Sequence, residues 1–152
     1  MQYVEAKVTH SFRASAERVF DAWLEPDFVR VWLSSALKSH GLSGEIRRVE
    51  IEARVGGKFV FSDMRDGKEA VHWGTYLAID RPRKLVFNWF TSAEDEKEGS
   101  SVVTLTIESK GSGCVATIVH RMSAKYAEYT ERTERGWARM LEHIESQLDA
   151  AE

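Results

Sequence analysis

Gly136-Trp137-Ala138-Arg139-Met140-Leu141-Glu142-His143-Ile144-Glu145-Ser146-Gln147-Leu148 is the stretch that decides the fold of this chain. Trp137, Met140, Leu141, Ile144 and Leu148 recur at helical spacing, so one apolar stripe runs nearly to the C-terminus. Glu134, Arg135, Arg139, Glu142, Glu145 and Asp149 occupy the opposite face. The pattern predicts a long helix beginning near Tyr126 or Thr130. A helix so divided needs an apolar surface to lie on. Gly136 costs such a helix ~1 kcal/mol relative to alanine. With Trp137 directly after it, close packing of the helix backbone is the expected reason.

The preceding hundred residues supply that surface as short alternating strands. Ala116, Ile118, His120 and Met122 line one face of the last of them, after a turn at Gly111-Ser112-Gly113. Val103, Leu105 and Ile107 alternate in the strand before. Glu94 to Gly99 reads as an acidic loop. Leu85, Phe87 and Trp89 form an earlier strand, entered from the turn at Asp80-Arg81-Pro82-Arg83. Strands at Lys58 to Met64 and Glu69 to Ile79 are joined by Asp66-Gly67, a strong hairpin signal, with Phe59 and Phe61 on one face. Ile46 to Ala53 is a further strand, and Gly56-Gly57 marks a turn or bulge. At the start of the chain Tyr3 to Phe12 alternates as a strand. Ser15 then caps a short helix carrying Val19, Phe20 and Trp23 on one face. Pro26 opens a second, with Phe28, Val31 and Trp32 as its apolar side. Ser34 to Gly44 reads as polar and turn-rich.

The order is one strand, two short helices, about six consecutive strands and a long helix. Consecutive strands joined by hairpins make an antiparallel meander. The expected architecture is α+β: a curved antiparallel sheet of about six or seven strands, with the C-terminal helix packed across it in a helix-grip arrangement. Residues 1–152 are expected to form one domain, long enough to bury roughly 70% of the unfolded surface without disulfides or metal. The single cysteine, Cys114, agrees. No stretch reaches the ~18 apolar residues of a membrane span, and the N-terminus lacks the order of a signal peptide, so the cytoplasm is the expected location. Net charge is −3 with both signs mixed along the chain, which argues against nucleic acid as the main partner.

Several pieces spread in order over most of the chain carry a resemblance. They are Ala16-Glu17-Arg18-Val19-Phe20-Asp21-Ala22-Trp23, Glu25-Pro26-Asp27, Trp32, Val55-Gly56-Gly57-Lys58-Phe59 and Gly74 ahead of Ile79-Asp80. Pro82-Arg83-Lys84-Leu85-Val86-Phe87, His120, Gly136-Trp137 and Met140-Leu141 complete the series. The chain resembles the START-like (SRPBCC) superfamily, and within it the bacterial homologues of the activator of the heat-shock chaperone ATPase. It departs from that pattern at Trp32-Leu33, at Ala78 and from Ser34 to Arg47. The resemblance implies a cavity between sheet and helix, bacterial members associated with stress, and eukaryotic members that stimulate a chaperone. It does not imply an enzyme.

Five tryptophans and seven phenylalanines suit both a core and the wall of an apolar cavity. The candidate ligand-binding residues are Trp32, Phe59, Phe61, Trp73, Tyr76, Phe87, His120, Met122, Trp137, Met140 and Leu141, with Trp32 expected at the entrance. Trp73 and Tyr76 cannot both face inward in a regular strand, though a bulge near Gly74 would change that. His120 has two readings, a polar contact for a ligand or a core histidine bonded within the protein.

Catalytic and metal signatures are missing from the sequence. The five histidines, His10, His40, His72, His120 and His143, form no close ligand pair, and Cys114 stands alone. There is no nucleophile elbow and no dinucleotide fingerprint. Asp63 and Asp66 read as hairpin-end residues rather than paired carboxylates. No cofactor is expected. The leading expectation is a protein that binds a small hydrophobic or amphipathic ligand without catalysis. A chaperone-associated interaction module follows from the resemblance alone. An aromatic cyclase or hydrolase, known elsewhere in the superfamily, would have to rely on His120. Monomer and homodimer are both compatible with the sequence.

Overall fold

In the computed structural model, which describes residues 2–150, seven antiparallel strands form one sheet in the order β1-β7-β6-β5-β4-β3-β2. The strands are β1 (Tyr3–Phe12), β2 (Ile46–Ile51), β3 (Lys58–Arg65), β4 (Lys68–Asp80), β5 (Lys84–Asn88), β6 (Val102–Lys110) and β7 (Gly113–Ser123). The helices are α1 (Ala16–Ala22), α2 (Pro26–Ser39), α3 (Ala93–Glu98) and α4 (Thr130–Ala150). A 3₁₀ turn, Ala124–Tyr129, leads into α4. This is the α+β helix-grip arrangement expected from the order of elements.

Register explains which residues reach the inner face. Tyr76 pairs with Phe87, Phe87 with Val103, Val103 with His120 and His120 with Ala6, a row crossing five strands. Phe59 pairs with Gly74 and Phe61 with His72. Gly74 has no room for a side chain, since a Cβ there would fall 2.1 Å from the Asn88 carbonyl oxygen. The turn at Asp66-Gly67 has both residues at positive φ, 50° and 78°, as a two-residue hairpin demands.

Three stretches differ from the sequence reading. α2 continues to Ser39, through the segment read as polar and turn-rich. Its buried stripe is Val29, Trp32, Leu33, Ala36 and Leu37, while Val31 is 52% exposed. The serines of that segment misled the composition, but the apolar residues among them keep helical spacing. Glu94 to Gly99, read as a loop, is mostly α3. Ser92 caps it by accepting from the Asp95 amide, three acidic residues sit in its first turn, and Gly99 ends it in the left-handed conformation. Asp63 is not a solvated hairpin end: it is buried and held by Arg65 at 2.8 and 3.1 Å.

The core lies between the concave sheet face and the helices. Trp137, Leu141, Ile144 and Leu148 of α4 are buried against it. Glu134 and Glu145, on the polar side of α4, accept from the backbone amides of Lys7 and Arg13. These bonds fix the helix along the open edge of β1.

Candidate functional site

A cavity of about 330 Å³ lies under the N-terminal half of α4. Thr133, Gly136, Trp137 and Met140 of α4 form its roof, and His120 and Met122 of β7 with His72 of β4 form its floor. Trp89, just past β5, and Ser101, just before β6, close one side. Asp95 of α3 and Tyr126 and Tyr129 of the 3₁₀ turn stand on another, with Tyr129 43% exposed. The volume falls at the lower end of the range typical of small-molecule pockets, and the wall is mostly apolar with a few polar groups.

The inner polar groups form one chain of bonds. The Trp137 indole can only donate, so His120 Nδ1 is the acceptor at 3.1 Å. His120 therefore carries its proton on Nε2 and donates it to Ser101 Oγ at 2.8 Å. Ser101 in turn donates to the Trp89 carbonyl at 2.7 Å. Burial pushes the His120 pKa down to about 4, so the ring is neutral near pH 7. Both nitrogens are engaged by the protein, and the ring still forms part of the cavity floor. His72 stacks on Trp89 with ring centroids 5.0 Å apart, and burial drives its pKa down to about 4 as well.

The outer polar groups tie α3 to the 3₁₀ turn. Tyr126 donates to Asp95 Oδ1 at 2.8 Å, and Thr91 donates to Asp95 Oδ2 at 2.8 Å. The Tyr126 hydroxyl pKa is raised by that hydrogen bond. Lys125 reaches Glu98 at 2.6 Å. α3 and the 3₁₀ turn are thereby held together beside the cavity.

The expected site residues divide by depth. His120, Met122, Trp137 and Met140 come together in the cavity. Phe59, Phe61, Tyr76 and Phe87 surround a separate void of only about 10 Å³, together with Trp23, Leu85 and Trp89. Their rings touch within the core, Phe59 lying 5.0 Å from Phe61 and 5.5 Å from Phe87 between centroids. Leu141 is fully buried in that core.

Three expectations of placement are overturned. Trp32 is not at an entrance: α2 runs on past it, only 1% of it is exposed, and its indole donates to the Ala22 carbonyl at 2.9 Å. Trp73 points to the other side of the sheet, because β4 keeps its alternation through Gly74 and turns His72 and Tyr76 inward instead. Its indole donates to Glu96 at 2.9 Å. Gly136 is not there for close packing, since a Cβ built on it meets nothing within 4 Å and would enter the cavity.

The sequence reading also missed several lining residues. His72 was legible, as it shares parity with Tyr76 on β4. Trp89 shares parity with Leu85 and Phe87. Asp95, Tyr126 and Tyr129 come from a short helix and a 3₁₀ turn, which leave no periodic signal.

Among the described residues there is no cluster of side chains able to hold a metal ion, and no helix is long and apolar enough to cross a membrane. Solved bacterial structures share the fold. A protein from Rhodobacter sphaeroides aligns with a TM-score of 0.80 at 18% identity, over 97% of this chain and 93% of its own. One from Mycobacterium smegmatis gives 0.77 at 20% identity, over 97% and 92%. A Staphylococcus aureus protein described as of unknown function gives 0.75 at 19% identity, over 97% of both chains. No curated protein matches the chain. Residues 13–149 match the family described as activator of Hsp90 ATPase homolog 1-like protein. With nearly the whole chain covered and the helix-grip fold in place, the protein belongs to that family, within the START-like superfamily.

Proposed function

We propose that the protein binds a hydrophobic or amphipathic small molecule in the cavity under the N-terminal half of α4. The observation that carries this reading is the 330 Å³ cavity itself, walled by Trp89, Trp137, Met122 and Met140. A space of that size below a helix offers apolar area to a ligand and costs the empty protein packing energy. Gly136 supports the reading further. A helix-weakening residue that presents open space to the cavity keeps room there which any larger side chain would occupy.

Catalysis finds less support. His120, the candidate acid or base, accepts from the Trp137 indole at Nδ1 and donates from Nε2 to Ser101, so in this arrangement it has no free lone pair to take a proton from the Ser101 hydroxyl, which itself donates to the Trp89 carbonyl. A chaperone-associated role, suggested by the family's description, calls for a broad apolar docking face. Among the described residues the exposed large apolar side chains are Tyr3 on β1, Val31 on α2, Val55 in the loop before β3, Leu77 on β4 and Tyr129 on the 3₁₀ turn, of which the loop of Val55 runs beside Leu77.

The test is a titration with the neutral apolar probe N-phenyl-1-naphthylamine, followed by quenching of tryptophan emission. Saturable one-to-one binding that weakens at least tenfold in Gly136→Leu is expected, because the leucine fills the cavity. Absence of saturable binding, or binding indifferent to the leucine, would sink the proposal.

A further inference from the structure

Asp95 is the only acidic side chain in the wall of the large cavity, and no lysine or arginine lines that wall. Burial is the main cause that holds the two lining histidines, His72 and His120, neutral near pH 7. The wall therefore carries a single charge, and it is negative. Asp95 is half-buried on α3, between the exposed Glu94 and Glu96. Its oxygens accept from neutral donors, the Tyr126 hydroxyl at 2.8 Å and the hydroxyl and amide of Thr91 at 2.8 and 3.4 Å. Among the described residues no cation is ion-paired with it. Lys125, on the adjoining 3₁₀ turn, is bound to Glu98 at 2.6 Å.

The charge exceeds what the clasp between α3 and the 3₁₀ turn needs. Neutral donors can be met by a neutral amide oxygen, and α3 already has Glu94 and Glu96 in its first turn to complement its dipole. The charge also reaches inward. Burial dominates the His120 pKa, and the Asp95 carboxylate acts against it, so its field is felt at the cavity floor. A carboxylate accepts about four hydrogen bonds, which leaves Asp95 capacity for a further donor. Aromatic faces share the same space. Trp89, Trp137, Tyr126 and Tyr129 line it with Asp95, and ring faces attract cations. Tyr126 already takes one, the Lys125 ammonium 5.1 Å from its ring centroid.

We propose that the ligand is a cationic amphiphile, with an aromatic or alicyclic body under Gly136 and Met140 and an ammonium group set against the Asp95 carboxylate beside Tyr126 and Tyr129. This rests on the cavity being the binding site, and it adds the ligand's charge and orientation. An anionic head is disfavoured there, since it would meet repulsion from Asp95 and lose hydration with no cation in the wall to offset it. With Tyr129 43% exposed, an ammonium on this side of the cavity keeps part of its own hydration.

Three probes with one naphthalene body test this: 2-naphthylmethylamine, a cation at pH 7, the neutral 2-naphthylmethanol and the anionic 2-naphthoate. Calorimetric titration of the wild-type protein should show the amine binding about tenfold tighter than the alcohol, the scale of one charge-assisted hydrogen bond at a half-open site, and the naphthoate weakest. Raising sodium chloride should weaken the amine and leave the alcohol unchanged. The Asp95 side-chain carboxyl carbon resonance should move with the amine and not with the alcohol, a reading that needs no variant. Asp95→Asn should bring amine and alcohol together, while Glu94→Gln in the same turn should keep the advantage of the amine. Alcohol or naphthoate bound as tightly as the amine, an unmoved Asp95 resonance, an advantage kept in Asp95→Asn, or an equal loss in Glu94→Gln overturns the inference while cavity binding stands. Failure of all three probes to bind overturns the cavity reading as well.

Discussion

His120 shows how much one residue does here. It accepts from Trp137 on α4 and donates to Ser101 between β5 and β6, so it joins roof, floor and side wall. Replacing it with phenylalanine keeps the volume but strands the Trp137 donor in the interior. His120→Phe should cost about 1–3 kcal/mol in urea denaturation, the price of a buried unsatisfied group. An unchanged midpoint would show that these bonds add nothing. His120 and His72 also make stability depend on acid. Both have folded pKa values lowered to about 4 from 6.5, mainly by burial. The unfolded chain then binds more protons between those limits, so stability is full above pH 6.5 and falls as pH drops toward 4. The melting temperature should be level from pH 7 to 8 and decline below 6.5, with a shallower decline in His72→Phe between pH 6.5 and 5. A profile of the variant identical to that of the wild type would mean that His72 titrates normally.

At the scale of elements, α4 performs two tasks along its length. Its C-terminal half is core, with Ile144 and Leu148 buried. Its N-terminal half spans the cavity, with only Trp137 set deep. Trp137→Ala should therefore cost about 3–5 kcal/mol, as for other large buried aromatics. Gly136→Ala should do the opposite. Its Cβ has open space, so the change should raise stability by up to ~1 kcal/mol through helix propensity. Thermal unfolding of the two variants checks both, and destabilisation by Gly136→Ala would mean that the helix backbone is closer to the sheet than described. This helix was legible because five apolar residues repeat without interruption. α2 was legible only as far as Trp32, since Ser34, Ser35 and Ser39 mask the continuing stripe of Leu33, Ala36 and Leu37. α3 was hidden because a short, capped, acidic helix has the composition of a loop.

For the whole molecule, strand order and the gripping helix follow from alternation, hairpin turns and helical period, all of them local signals. Which aromatic residues face the cavity and which fill the core depends on depth along shared inner rows, and no local pattern encodes depth. Phe59, Phe61 and His120 all point inward, yet two of them line the inner void and one the cavity floor. Parity alone would have exchanged Trp73 for His72. The central claim is that the space beneath the N-terminal half of α4 is the ligand site. Amide chemical-shift mapping during titration with N-phenyl-1-naphthylamine tests it most directly. The predicted result is saturable shifts concentrated at Trp89, Ser101, His120, Tyr126, Gly136 and Trp137, with little change at Ile144 and Leu148. Saturable shifts elsewhere on the molecule, or no saturable shifts at all, would contradict it.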